Sequence, residues 1–137
     1  MAGPLVVNTG FVETAKLITG VGSGAVFTYL ALGASSAAEA TTVATLASEI
    51  VENSGMKRAS VTPTLASSSV ASDTGVWSNT WTASATAGQS VNEAGIFNNA
   101  ATNSGVMLAY ATFAQAIPMS SADTLQVTWS VRVCPGA

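Results

Sequence analysis

Apolar and polar positions along the chain follow two different periods, and the change between them divides the sequence. From Asn8 to Thr19 the apolar residues Phe11, Ala15 and Ile18 recur at helical spacing, with Leu17 beside them. Asn8 or Thr9 is placed to cap the start of this helix. Gly20 suits the position just past its last turn, where φ is positive. Val21–Gly24 reads as a Gly-rich turn. Ala25–Leu32 (AVFTYLAL) is rich in β-branched and aromatic residues and predicts a strand buried on both faces, ended by Gly33–Ser36. Thr41–Val51 is Ala-rich and predicts a loop with one or two helical turns.

From Lys57 the period becomes two. Lys57–Ala66 and Gly75–Ser84 read as paired strands joined by the Ser-rich Ser67–Asp73, with Pro63 at an edge or a bulge. Trp77 and Trp81 lie an even number of residues apart and share a face. Ser90–Phe97 and Val106–Phe113 flank a small-polar hairpin loop, Asn98–Gly105. Asp123–Val133 alternates most cleanly: Leu125, Val127, Trp129, Val131 and Val133 face one way, and Gln126, Thr128, Ser130 and Arg132 the other. The pattern predicts a mainly β chain, an antiparallel β-sandwich or jelly roll with a short N-terminal helix. The expected organisation is an extended segment over 1–7 and one sandwich domain over 8–137, a size that suits a single core.

Composition narrows the function. Charged residues make up 8% of the chain, against about a quarter in typical soluble domains. Thr74–Asn92 and Ala94–Ala122 carry no charge at all. Interface cores are depleted in charge, so these tracts point to surface covered by other chains. The basic residues are Lys16, Lys57, Arg58 and Arg132. They are too few and too scattered to displace counterions from phosphates, so nucleic acid is not an expected partner. No membrane span is expected, because the uncharged Leu17–Ala38 is broken by Gly20, Gly22, Gly24 and Gly33. Met1–Val7 has no basic residue of an export signal. It reads as a frayed end or as a strand laid on a neighbour.

The chain has no histidine and one cysteine, Cys134. Ser–His and Cys–His pairs are therefore impossible, and a zinc cluster lacks ligands. Gly20–Gly24 (GVGSG) follows a helix and precedes a strand, the reverse of a dinucleotide motif. The acids Glu13, Glu39, Glu49, Glu52, Asp73, Glu93 and Asp123 are scattered. No catalytic, cofactor or metal site is expected, and the chain does not read as an enzyme. Glu49 and Glu52 would share a helical face, where they could ligate a divalent ion, but on an exposed turn they are expected to be solvated. Glu93 sits in a strand-like run and, if buried, needs a partner, with Arg132 or Arg58 the candidates. Trp77, Trp81, Trp129, Tyr29 and Tyr110 offer ring faces for sugars, but the spacing of Trp77 and Trp81 suits a core better.

The blocks FTYLALGASSAAEATTVATLASEI, MKRAS, WTASATAGQSVNEAGIFNNA and GVMLAYATFAQAIPMSSADTLQVTWSVRV occur in an order that resembles a family of small tailed-bacteriophage virion structural proteins. The resemblance runs from about Phe27 to Val133. It implies a virion component assembled in the host cytoplasm, a capsid decoration or cement protein. Its partners would be the major capsid protein and itself, with a homotrimer matching local threefold sites. A tail adaptor, tube or fibre-base protein is the alternative, and a carbohydrate- or receptor-binding module a further one. Where the family pattern has a basic residue, this chain has Tyr110, which removes a charge from that strand.

Overall fold

A computed structural model describes residues 5–51, 54–84 and 89–133. The elements are β1 (Leu5–Val6), α1 (Asn8–Thr19), β2 (Tyr29–Gly33), β3 (Ala59–Ser60), β4 (Thr64–Ala66), β5 (Thr74–Thr82), β6 (Gln89–Phe97), β7 (Met107–Met119) and β8 (Thr124–Arg132). Strands β1-β7-β6-β2-β3 form one sheet and β4-β5-β8 another, all paired antiparallel. Leu30, Leu32, Ile96 and Leu108 from the larger sheet pack with Trp81 and Trp129 from the smaller one. Two sheets with this cluster between them make a β-sandwich, and Val7, Ala31, Leu46, Phe97, Met107 and Tyr110 form a second buried cluster.

The helix has the expected span and ends at Gly20 in the left-handed region, φ 67°. Its start differs. Val7 occupies the cap position and no side chain caps the helix. Thr9 Oγ1 instead donates to the Met107 carbonyl at 3.1 Å, fixing the helix to β7. The strand expected over Ala25–Leu32 is regular only from Tyr29, and the Ala25 N–H goes to the Glu13 carboxylate at 2.8 Å instead of a strand partner.

Thr41–Val51 is a loop as expected, but it holds one hydrogen-bonded turn, Val43 N–H to the Ala40 carbonyl at 3.1 Å, and no helix. Ile50 N–H bonds to the Leu32 carbonyl and Ala34 N–H to that of Ser48, both at 2.8 Å. The open edge of β2 thus supplies hydrogen bonds that override alanine's helix preference, the highest of any residue but small per residue beside tertiary contacts. The single strand expected over Lys57–Ala66 is split around Pro63. Ala59–Ser60 joins β2, and Thr64–Ala66 crosses to β5. Proline has no N–H to give a ladder, so it sits where the chain changes sheets.

β5 and β8 pair without a break, Trp77 opposite Trp129 and Trp81 opposite Leu125. Their alternation is as the pattern predicts, although Val133, just past β8, is exposed. β7 runs six residues beyond its expected end at Phe113, to Met119. Its register with β6 jumps between Val91↔Ile117 and Glu93↔Thr112, so Phe113–Ala116 bulge out opposite Asn92.

Candidate functional site

Carboxylates are the obvious place to look for chemistry in a chain without histidine, and the fold uses them as loop ties. Glu13 is buried on the inner side of α1. It accepts hydrogen bonds from Ala25 N–H at 2.8 Å and Asn98 Nδ2 at 3.1 Å, and pairs with Lys16 at 3.2 Å. The Ala25 N–H, followed by Lys16, holds its pKa below the usual value. Glu39 takes the N–H and hydroxyl of Thr112 at 2.9 and 2.7 Å, which lowers its pKa as well. Asp73 collects the Ser68, Ser69 and Val70 N–H groups and the Ser68 and Thr74 hydroxyls, with Arg132 at 3.4 Å. Burial pushes its carboxyl up, but these donors, led by Ser68, outweigh burial and hold it far below the carboxylate range. Asp123 accepts the Ser120 N–H at 2.7 Å.

Glu49 is buried rather than solvated. Arg58 grips it with two parallel bonds, Nε to Oε1 at 2.8 Å and Nη2 to Oε2 at 2.7 Å, and Asn103 N–H adds a third at 2.8 Å. The guanidinium also donates to the Asn99 and Ser104 carbonyls, each at 2.8 Å, and lies 3.9 Å over the Phe97 ring. One ion pair thereby closes the 98–105 loop. Glu52 and Cys134 lie outside the described residues.

Glu93 is fully buried, yet neither Arg58 nor Arg132 reaches it. Arg58 is committed to Glu49 and Arg132 to Asp73. Ser48 N–H donates to Glu93 Oε1 at 3.0 Å and the Tyr110 hydroxyl to Oε2 at 2.8 Å. Gly33, its register partner on β2, gives the carboxylate its room, because a Cβ there would overlap Oε1. Burial, then the neighbouring Glu93, pushes the Tyr110 phenol up to about 12. Tyr110 is thus a neutral donor to the buried Glu93.

Among the described residues no three His, Cys, Asp or Glu side chains converge as a metal-binding group. The aromatic rings are largely internal. Trp81, Trp129 and Tyr110 are buried, and Trp77 Nε1 and Trp81 Nε1 donate to the Phe27 and Lys57 carbonyls at 2.8 Å. This packing supports the core reading of Trp77 and Trp81 over sugar stacking. No helix among the described residues is long and apolar enough to cross a membrane.

Two surfaces stand out as having no partner among the described residues. The first is the outer edge of β8. Nine residues long, it is the end strand of its sheet, with no charge from Thr124 to Val131 and no proline. Beside it, Ala94, Ala111, Phe113 and Val127 line one hollow and Leu5, Val6 and Ala109 another, with Trp129 and Ser130 common to both. The buried Trp129 Nε1 has no hydrogen-bond partner among the described residues. Edge strands usually carry a lysine, a proline or a bulge against association, and this one lacks the first two. The second is the outward face of α1, where Phe11, Val12, Ile18 and Val21 are exposed. The helical spacing of Phe11, Ala15 and Ile18 signalled a helix correctly but gave no sign that its apolar side points to solvent. Leu5–Val6 lies on the chain's own β7, Leu5 opposite Tyr110, while residues 1–4 lie outside the described part. Comparisons of this chain with family models, with curated proteins and with solved structures give no match.

Proposed function

We propose that this chain is a virion structural protein, a capsid decoration or cement protein that strengthens the head shell through subunit contacts. The observation that carries the reading is the unguarded β8 edge beside an apolar hollow, in a chain poor in charge. An open edge offers a row of backbone donors and acceptors to an extended segment of a neighbouring subunit, and the hollow takes its alternate side chains. The order of the sequence blocks from Phe27 to Val133 supports the same reading. A rigid sandwich with loops tied by carboxylates suits a part that bears load rather than one that turns over substrate.

The test is purified particles. Quantitative mass spectrometry should find the chain in hundreds of copies, and recombinant protein should co-sediment with shells stripped of it. Ser130→Lys places a charge on the exposed edge and should abolish co-sedimentation while leaving the melting curve unchanged. A copy number near a dozen would favour a tail adaptor instead. Absence from particles would end the virion reading.

A further inference from the structure

Helix α1 turns its apolar stripe away from the sheet it rests on. Its inner side is Gly10, set against the Leu108 backbone of β7, and Glu13, held by Ala25, Asn98 and Lys16. On its outer side Phe11 and Val12 are each 58% exposed and Ile18 is 80% exposed, and Val21, just past the helix end, is 72% exposed. Ala15 is exposed between Phe11 and Ile18 on the same stripe. The nearest charge, Lys16, is engaged by Glu13 at 3.2 Å. The hydroxyls of Thr14 and Thr19 are bonded to the carbonyls of Gly10 and Ala15 at 2.8 and 2.7 Å. Between Phe11 and Ile18 the face therefore offers a neighbour mainly apolar surface, with the exposed Asn8 at its N-terminal end.

We infer that this face pairs with the same face of a second copy, the two α1 helices running antiparallel about a twofold axis near Ala15. The spacing is self-complementary. With Ala15 at the crossing, Phe11 packs on the partner's Ile18 and Ile18 on the partner's Phe11. A small residue at the crossing lets the helices approach to about 8–10 Å. A twofold contact sets each patch against itself, so an uncharged patch meets no like charge. The exposed apolar side chains present on the order of 500 Å², near the upper end of the largest patches on monomers, about 300–600 Å². A standard interface takes about 800 Å² from each partner, so the stripe supplies most of one side of a reversible dimer. This pairing does not depend on the virion reading and is measured on the purified chain alone.

Sedimentation equilibrium across a concentration series of the full chain tests it. The weight-average mass should climb from 13.6 kDa towards twice that value. Ile18→Asp should weaken the association at least about tenfold, a change of about 1.4 kcal/mol, with an unchanged circular dichroism spectrum. In a Cys134→Ser background, Ala15→Cys should oxidise to a covalent dimer and Thr14→Cys, turned towards the sheet, should not. Three results would overturn the inference. The first is a mass that stays at one chain at every concentration. The second is a dimer that tolerates Ile18→Asp and leaves Ala15→Cys unlinked. The third is a monomer that floats with phosphatidylcholine vesicles.

Discussion

Arg58→Ala removes the centre of the most connected polar group in the fold. The guanidinium and the Glu49 carboxylate are 2% and 1% exposed as side chains. The substitution deletes both bonds to Glu49 and both bonds to the Asn99 and Ser104 carbonyls. It leaves a buried carboxylate with the Asn103 N–H as its remaining donor. Breaking a buried pair from one side costs about 3–5 kcal/mol, chiefly because the other charge is stranded. Loss of contact with Phe97 adds to this. Against a total stability of about 5–15 kcal/mol, that loss removes a large share of the margin and should lower the unfolding midpoint markedly. Urea titration followed by tryptophan fluorescence reads the shift, because Trp81 and Trp129 are buried. Arg58→Met combined with Glu49→Leu strands no charge, and it should recover at least half of the loss. A cost below about 1 kcal/mol for Arg58→Ala would refute the reasoning, since that is the range of a hydrated surface pair.

Tyr110→Phe takes away the hydroxyl donor to Glu93 Oε2 and should cost about 1–3 kcal/mol by the same titration. Gly33→Ala drives a methyl group into the Glu93 carboxylate and should lower the melting temperature at least as much as Tyr110→Phe does. Val127→Asp places a charge on a half-buried position lining the hollow beside β8. It should cost about 1–3 kcal/mol, whereas the same change at the fully buried Ile96 should prevent folding. The carboxyls of Glu13, Glu39 and Asp73 sit below their ordinary values of 4.5, 4.5 and 3.8 in the fold. The unfolded chain therefore binds more protons on the acid side. Stability should be full above about pH 5 and fall steadily below about pH 4, as seen in pH-dependent melting curves. Tyr110 works the other way. Its neutral form is favoured from its ordinary 10 up to about 12, so its contribution holds below pH 10 and is lost as pH rises through that interval.

Elements built on one repeating pattern were legible in the sequence. Helix α1 and its Gly20 end, the β5 and β8 ladders, and the hairpin around Asn98–Gly105 each rest on local periodicity and turn chemistry. What escaped was set by partners distant in sequence. Ala25 loses its strand bond to Glu13, and Ser48–Ile50 lies along the edge of β2. Arg58 is captured by Glu49, nine residues away, rather than by Glu93. The contact of Tyr110 with Glu93 is visible only when β6 and β7 are laid side by side. The outward turn of α1 is the plainest case. Periodicity reports that one side is apolar, and Gly10 with Glu13, which mark the side that docks, look in the sequence like a flaw and a solvated acid.

The placement of β1 and α1 on β7 has a consequence for synthesis. Leu5 and Val6 find their ladder at Tyr110 and Ala109, and Gly10 finds its seat at Leu108. A ribosome makes about 5–20 residues each second. The opening segment therefore waits several seconds before its docking strand exists, and Phe11 and Ile18 stay open during the wait and after it. During that wait nascent copies on one polysome are close neighbours, and stickiness between them would begin before either is finished.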